Sequence, residues 1–218
     1  MYNPQRELLT ASLNALNEQV DEIFLGDNSV NMPDFITTLL NLYPNTYYHS
    51  FNKNLGIAEA QNRGIIYFQK KGFDFVLFMD QDSLAPNNLV SSLLADYNRL
   101  KEIGIPIGGI GPRPFNRGEG KPYIGAVKKG KLILPKITEV GEIISSASLI
   151  PIPHFKQVGG MESSLFIDGV DHEWCWRAKK NGGWRRDFGF TGAAAALSGF
   201  YGFGAAQKQF CGGTGSCL

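Results

Sequence analysis

Two aspartates, Asp80 and Asp82, are the residues whose type and spacing most clearly suggest chemistry. They follow a run of aromatic and branched residues at 73–79, which predicts a buried strand of a parallel sheet. Ligands of open α/β sheets bind beyond the carboxyl ends of the strands. Two carboxylates at that edge can share one hard divalent cation, and a cation held there can bind a diphosphate. The chain is therefore expected to handle a nucleotide diphosphate, although aspartates at such places also cap helices and close turns.

A second candidate, Asp27 with Asn28, comes directly after a short predicted strand at 23–25. An aspartate at this edge could accept a hydrogen bond from the imide N–H of a uracil or thymine ring. The alternative is an Asx-turn, in which the side chain bonds the backbone two residues further on. From these residues alone, the turn is slightly favoured.

Asparagines and glycines follow the next predicted strand. They lie at Asn52, Asn54, Gly56, Asn62 and Gly64. Both residue types tolerate a left-handed backbone, and glycine lets a ligand approach closely. The segment is either part of a ligand site or a plain connection between a strand and a helix.

A fourth candidate is the stretch 166–177, which is rich in acids and aromatic residues. It contains Asp168, Asp171, Glu173, Trp174 and Trp176. Clustered acids can remove a proton from a sugar hydroxyl while a flat side chain covers the sugar ring. The alternative is the first turn of a helix, where acids suit the helix dipole, with both tryptophans in the core. Arg177 is expected to pair with a nearby acid rather than to touch a substrate.

The elements that must position these residues alternate along the chain. Helices are predicted at 5–18, 33–42, 57–71, 86–103 and 170–180. Strands are predicted at 23–25, 46–51, 73–79 and 105–110, followed by a hairpin around 128–131, a strand-like run at 143–152 and a connector or helix at 153–158. This alternation predicts an α/β fold with a doubly wound, mostly parallel sheet and helices on both faces.

The composition is that of an ordinary soluble globular protein. The chain has 218 residues, a formal net charge of +1, 43% hydrophobic and 19% charged residues. No basic excess recruits nucleic acid, no apolar run spans a bilayer, and no signal peptide opens the chain. Three cysteines suggest a reducing compartment. A cytoplasmic location is expected.

Taken together, the motifs resemble family 2 glycosyltransferases of the GT-A fold, and most of all their rhamnosyltransferase-like branch. The resemblance covers roughly residues 2–184. It rests on the order of Tyr2-Asn3-Pro4, Asp27-Asn28-Ser29, Asn52-Lys53-Asn54-Leu55-Gly56-Ile57-Ala58, Asp80-Gln81-Asp82-Ser83, Gly159-Gly160-Met161 and Phe166-Ile167-Asp168-Gly169-Val170-Asp171. It implies transfer of a sugar, such as rhamnose, from a nucleotide diphosphate to an acceptor hydroxyl, with inversion.

The resemblance also implies roles for particular residues. Asp27 would hold the donor base, Asp80 would lie near the ribose and diphosphate, and Asp82 with Asp80 would bind Mg²⁺ or Mn²⁺. The wider donor site would include Tyr2, Asn54, Gly56 and Asn62. Asp171 would be the general base, with Asp168 or Glu173 as alternatives, and Trp174 would lie on the acceptor side.

The same resemblance indicates the organisation and the partners. Residues 1–187 would form the GT-A domain, with a donor half at 1–112 and an acceptor half at 113–187. The donor would be a dTDP- or UDP-sugar. The acceptor would be an oligosaccharide or a lipid-linked sugar of bacterial surface polysaccharide synthesis, which would place the enzyme near the inner face of the membrane.

The chain departs from the family at both ends. The apolar first strand that usually ends at the Tyr-Asn pair is expected to be missing, because Met1 stands in its place. Residues 188–218 are rich in Gly and Ala, have no clear period, and carry one charge, Lys208. We hypothesise that this tail is disordered or not a native continuation of the domain. The late histidine that often lies near the metal is also absent, and His49, His154 and His172 are expected to be structural or exposed.

Two other functions fit the same residues less well. A truncated, non-catalytic domain could retain partial binding of a nucleotide sugar. A sugar-1-phosphate nucleotidyltransferase also uses a similar sheet and metal-binding acids, but it needs a Gly-rich phosphate loop near the N-terminus. The glycine cluster of this chain lies at 212–215 instead.

Overall fold

A computed structural model of the chain describes residues 1–116, 121–122, 130–181, 188–197 and 202–207. The helices are α1 (Arg6–Leu16), α2 (Ile36–Leu42), α3 (Gly56–Lys71), α4 (Leu89–Glu102), α5 (Ile152–Val158) and α6 (Val170–Asn181). The strands are β1 (Glu22–Asp27), β2 (Thr46–Ser50), β3 (Phe75–Asp80), β4 (Gly109–Asn116), β5 (Lys121–Pro122), β6 (Lys131–Leu134), β7 (Ile137–Val140), β8 (Ser148–Pro151), β9 (Phe188–Leu197) and β10 (Gly202–Gln207). A short 3₁₀ turn, Ser163–Leu165, precedes α6.

One mixed sheet connects the strands in the order β2-β1-β10-β3-β8-β4-β9-β7-β6, with β5 paired to β4. Strands β2, β1, β3 and β4 all run in the same direction, because β10 and β8 are antiparallel to the neighbours on both of their sides. The carboxyl ends of β1 and β3 therefore lie at the same edge of the sheet.

Strand β3 shows why helices cover both faces of this sheet. All six of its residues are buried, and alternate side chains of a strand point to opposite faces. Phe75, Leu77 and Met79 belong to one hydrophobic cluster, together with apolar residues of α1, α2 and α4. Val76 and Phe78 belong to a second cluster, with residues of α3, α5 and α6. The predicted α/β architecture with a doubly wound sheet is confirmed.

Strand β10 lies between β1 and β3 in the sheet. Ala205 is opposite Ile23 on one side and Leu77 on the other, antiparallel to both. The sequence of residues 188–218 shows no strand period, yet β9 and β10 both form within it. Backbone pairing on two sides accounts for this, because it depends little on the side chains.

Several predicted boundaries are wrong. The strand expected at 105–110 begins only at Gly109 and continues to Asn116. The strand expected at 143–152 shortens to Ser148–Pro151. It is preceded by Ala147, whose φ of 61° interrupts an extended backbone.

The hairpin expected around 128–131 falls largely outside the described residues, since 123–129 are not among them. The hairpin that the structure shows is formed by β6 and β7, with Lys136 at a φ of 70° in its turn. Among the described residues, no helix combines the length and the apolar character needed to cross a membrane.

Candidate active site

The acidic loop after β3 is held in place by hydroxyl groups. Asp80 is 7% exposed and Ser83 is fully buried. The Ser83 N–H donates to the Asp80 carbonyl at 3.2 Å, and the Ser83 and Ser146 hydroxyls lie 3.0 Å apart. Ser12 of α1 donates its hydroxyl to the Ser83 carbonyl at 2.5 Å. The loop is therefore anchored to α1 and to the segment before β8.

The electrostatics of Asp80 show which acids share its surroundings. Burial, helped by the nearby carboxylates of Asp82 and Asp171, raises the pKa of Asp80 to about 7, although a hydrogen bond from Ser146 opposes the rise. The predicted acids of the β3 loop and of α6 thus lie near one another. A cluster of carboxylates of this kind repels itself until a proton or a cation neutralises it.

Asp27 lies at the carboxyl end of β1 and is fully buried. One carboxylate oxygen accepts the Ser29 N–H at 2.9 Å, and the other accepts the Tyr48 hydroxyl at 2.7 Å. Burial and the bond to Asp27 raise the pKa of Tyr48. The bond to Ser29 is the Asx-turn that the sequence also allows. Both carboxylate oxygens thus have partners within the protein.

The first residues of the chain lie across the ends of β1 and β3. The Met1 amino group donates to the Gly26 carbonyl at 2.5 Å, and the Met1 carbonyl accepts the Asn28 N–H at 2.8 Å. The Tyr2 backbone N–H donates to the Gln81 side-chain oxygen at 2.8 Å, and the Gln81 side-chain nitrogen donates to the Tyr2 carbonyl at 3.2 Å. Tyr2, a predicted donor residue, is thus positioned directly beside the acidic loop.

The Asn28 side chain connects the end of β1 to the start of α3. Its amide nitrogen donates to the Gly56 carbonyl at 3.1 Å, and its oxygen accepts the Leu55 N–H at 3.0 Å. The Asn54 side chain accepts the Gly56 N–H at 3.0 Å, which forms an Asx-turn. The structure therefore places the Asn54 loop next to the Asp27 segment.

Gly56 packs directly against the loop that leads to α6. Its φ is 80°, and an added Cβ would meet the Phe166 ring at 2.5 Å and the Phe166 carbonyl oxygen at 2.6 Å. That carbonyl accepts the Ile57 N–H at 2.7 Å and the Ala58 N–H at 3.3 Å, so it caps the first turn of α3. The glycine is needed here for both conformation and space.

Asn62 has a different position from the other predicted donor residues. Its side chain bonds the backbone of Met161 twice, at 2.9 and 2.7 Å, and donates to the Ser163 hydroxyl at 3.1 Å. The amide is occupied within the protein. It fastens α3 to the Gly159-Gly160-Met161 loop.

Asp171 lies in the first turn of α6 with both oxygens oriented by backbone donors. The Ser145 N–H donates to one oxygen at 2.9 Å, and the His172 N–H donates to the other at 2.9 Å. Its side chain is 23% exposed, so it remains reachable from solvent. Asp168, one of the two alternatives, is exposed and lies before the helix.

Glu173, the other alternative, is bound by an arginine. Its two oxygens accept the Nε and Nη2 of Arg177, each at 2.7 Å. The guanidinium also donates to the carbonyls of Val158 and Gly160. The expectation that Arg177 pairs with an acid is confirmed, and the pair fixes the loop at 158–160.

Trp174, expected on the acceptor side, is instead part of the core. It is 1% exposed, its ring lies 5.0 Å from that of Phe155, and its indole N–H donates to the Gly159 carbonyl at 3.0 Å. The helical period explains this, because Val170, Trp174 and Ala178 share one buried stripe of α6. Trp176 lies on the opposite side and is 60% exposed.

Reasoning from the sequence missed two neighbours of these acids. Ser146 bonds Asp80. Glu142 accepts from both His172 and Trp176, at 3.0 Å in each case. The spacing of His172 and Trp176, one helical turn apart, could have indicated a shared exposed face, whereas nothing in the sequence marks Glu142 or Ser146.

Residues 1–146 match the family described as Glycosyl transferase family 2. The chain is 32% identical over 191 residues to the dTDP-rhamnosyl transferase RfbF of Shigella flexneri, a match that covers 83% of this chain and 62% of that protein. The chain thus spans somewhat less than two thirds of the length of this relative.

Solved structures show the same fold at low sequence identity. GalNAc-T7 with UDP, GalNAc and Mn²⁺ has a TM-score of 0.69 at 14% identity, over 92% of this chain and 43% of that one. TarS 1–349 of S. aureus has a TM-score of 0.59 at 15% identity, over 93% and 58%. The TarS complex with UDP-GlcNAc has a TM-score of 0.57 at 15% identity, over 91% and 54%. The GT-A fold expected from the sequence is confirmed.

Proposed function

This chain belongs to glycosyl transferase family 2, and we propose that it transfers a sugar from a nucleotide diphosphate to an acceptor hydroxyl with inversion. The observation that carries the proposal is that the adjacent residues Ser145 and Ser146 bond Asp171 and Asp80, which brings the acids Asp80, Asp82 and Asp171 together near the carboxyl edge of the sheet. Two of these acids come from a loop suited to a cation, and the third comes from a helix suited to a base.

The donor site is proposed at the ends of β1 and β3. Asp27, at the carboxyl end of β1, would accept the imide N–H of a uracil or thymine. Tyr2, Asn54 and Gly56 would line the same side, and Asp80 would lie near the ribose and the diphosphate. The donor would be a dTDP- or UDP-sugar, since the relative is a dTDP-rhamnosyl transferase and the solved structures carry UDP or UDP-GlcNAc.

A divalent cation, Mg²⁺ or Mn²⁺, fits the chemistry of the acidic loop. Carboxylate oxygens are the ligands that these hard cations prefer. Among the described residues no three His, Cys, Asp or Glu side chains form a ready-made metal group. Asp82 and Asp80 would therefore hold the cation together with donor oxygens. When bound, such a cation would offset the negative charge that develops on the departing diphosphate.

Asp171 is proposed as the general base. Its two backbone donors fix the orientation of the carboxylate without closing it to solvent, while Glu173 is occupied by Arg177. Asp171 would accept the proton of the acceptor hydroxyl as that oxygen forms a bond to the anomeric carbon. The bond from this carbon to the diphosphate oxygen breaks on the opposite face, which inverts the configuration.

The acceptor is proposed to be an oligosaccharide or a lipid-linked sugar in the synthesis of bacterial surface polysaccharide, and rhamnose is the proposed sugar. The supporting observation is the identity with the Shigella rhamnosyl transferase. An acceptor carried on a lipid would bring the enzyme to the cytoplasmic face of the inner membrane.

Calorimetry with dTDP and with UDP, each with and without Mn²⁺, tests the proposal. We expect binding that depends on Mn²⁺ and is lost in Asp82→Ala. The matched control is Asp21→Ala, which removes an exposed aspartate before β1, at the other end of that strand, and should bind normally. A folded wild-type chain that binds neither nucleotide would contradict the proposal and favour a non-catalytic domain.

A further inference from the structure

Trp176 presents a large indole to solvent in a fixed orientation. Trp176 is 60% exposed, and its indole N–H donates to the Glu142 carboxylate at 3.0 Å. The same carboxylate oxygen lies 3.0 Å from the His172 ring nitrogen, and the two rings are 6.4 Å apart with an interplanar angle of 28°. An exposed, oriented aromatic ring with polar neighbours is typical of a binding surface.

This cluster of Glu142, His172 and Trp176 continues directly from the proposed base. The second ring nitrogen of His172 lies 4.0 Å from an oxygen of Asp171. His172 and Trp176 are one turn apart on α6 and so share a face of that helix. A molecule lying on the indole would therefore extend towards Asp171.

We propose that Glu142, His172 and Trp176 form a subsite for a pyranose ring of the acceptor, an inference that rests on the proposed glycosyl transfer. The apolar C–H face of the sugar would stack on the indole of Trp176. Glu142 has unused lone pairs that would accept sugar hydroxyl protons, and the outer nitrogen of His172 would bond another hydroxyl.

The chemistry of the cluster favours a neutral sugar over other ligands. An anionic group would meet the carboxylates of Glu142 and Asp171 at close range and be repelled. An acyl chain would have to remove water from Glu142 and His172, whose side chains are 43% and 42% exposed, without replacing the lost hydrogen bonds. A pyranoside offers both an apolar face and hydroxyl groups.

Saturation-transfer NMR with methyl α-L-rhamnopyranoside and methyl β-D-glucopyranoside tests the subsite. With the wild-type chain we expect transfer to the ring protons of at least one glycoside, and a reduction of about fivefold or more in Trp176→Ala. Trp176→Phe should retain part of the signal. The matched control is Tyr47→Ala, which removes an aromatic residue 42% exposed on β2 and should leave the signal unchanged.

Calorimetry with dTDP or UDP and Mn²⁺ on the same variants separates this inference from the proposed function. Nucleotide binding should be equal in wild type and Trp176→Ala. If saturation transfer to both glycosides is absent from the wild type, or is unchanged in Trp176→Ala, the proposed subsite is wrong, even when the nucleotide binds normally. Glycoside binding that depends on Trp176 supports the subsite, and a failure to bind nucleotide would then count against the donor site alone.

Discussion

Asp80 is the residue in which burial and function conflict most directly. Burial raises its pKa from 3.8 to about 7, so near neutral pH a large fraction of the chains keeps this carboxyl protonated. A cation would favour the ionised form, and binding of metal would then release a proton. Metal binding by this loop should therefore strengthen as the pH rises through 7.

The same shift predicts how stability depends on pH when no cation is present. The pKa of Asp80 is higher in the folded chain than in the unfolded chain, so the protonated carboxyl favours folding. This contribution is fully present below about pH 4 and is lost as the pH rises through about 7. Asp80→Asn imitates the protonated form. We compare the free energy of unfolding of the variant with that of the wild type at each pH. The difference in favour of the variant should be larger at pH 8 than at pH 5 by roughly 1–3 kcal/mol.

Urea unfolding in the presence of EDTA at both pH values measures this difference. Asp21→Asn, at an exposed position before β1, is the control for the loss of one aspartate charge. If the difference in free energy of unfolding between Asp80→Asn and the wild type is the same at pH 5 and pH 8, the pKa of Asp80 is not raised by folding.

The choice among the three candidate bases gives a second prediction. Asp171→Asn keeps the shape of the side chain and one of its two accepted backbone bonds but cannot accept a proton, so glycosyl transfer should fall by about 10²–10⁴-fold while nucleotide binding is retained. Glu173→Gln, which keeps one bond to Arg177, should lose less than about tenfold. The measurement is release of dTDP from dTDP-rhamnose with an oligosaccharide acceptor. A larger loss in Glu173→Gln than in Asp171→Asn would assign the base to Glu173.

At the scale of single residues, the sequence predicts where the acids lie relative to the strands, but not which tryptophan is buried. Asp27 and Asp80 are the last residues of β1 and β3 and Asp82 follows β3, so the three acids lie at one edge of the sheet. Hydrophobic runs in the sequence indicate where such strands end. Trp174 and Trp176 lie two positions apart, so a helix turns one inward and the other outward. Trp174 shares the buried stripe with Val170 and Ala178, so it is the tryptophan that packs in the core. It therefore does not lie beside a sugar, as the sequence suggests.

Between elements, the contact of Gly56 with Phe166 joins the start of α3 to the loop before α6. Gly56→Ala must strain a backbone at φ 80° and also displace the Phe166 ring and carbonyl. We expect a loss of about 2–4 kcal/mol in the free energy of unfolding, measured in urea.

Gly72→Ala is the control that separates strain from collision. Gly72 has a similar φ of 72°, but an added Cβ would meet nothing within 4 Å. Its loss should be about 1 kcal/mol, the cost of the left-handed backbone alone. Equal losses in the two variants would show that Phe166 moves aside freely.

The spacing of the apolar residues predicts the helices from the sequence, because each helix must bury one stripe of apolar side chains. Leu9, Leu13 and Leu16 of α1 are buried as that period predicts. Contacts between elements, such as the bonds of Asn62 to Met161, join residues far apart along the chain. No local pattern encodes such pairs, and for that reason Asn62 looked like a ligand residue.

For the whole molecule, the position of β10 gives a prediction that also tests the hypothesis about residues 188–218. Its backbone pairs with β1 on one side and β3 on the other, so the amides at 202–207 should exchange with deuterium more slowly than those of β2, which ends the described sheet. Hydrogen exchange with mass spectrometry of the native chain measures both segments. Complete exchange at 202–207 within seconds would mean that this tail does not belong to the sheet.

The GT-A architecture was predictable because the alternation of helices and strands persists through most of the chain. The insertion of β10 was not, since its glycines and alanines carry no strand signal and its place depends on the gap between β1 and β3. A gap of this kind becomes visible only when the strands are arranged in space.

The central place of β10 has a consequence for how the chain reaches its structure. Strands β1 and β3 leave the ribosome well before residues 202–207, so the edges that will receive β10 stay open throughout most of synthesis. Contacts between segments so distant in sequence form slowly, and open strand edges recruit strands of other molecules. Productive folding of this protein should accordingly depend on chaperones or low concentration, and its characteristic failure should be exchange of the late strand between two nascent chains.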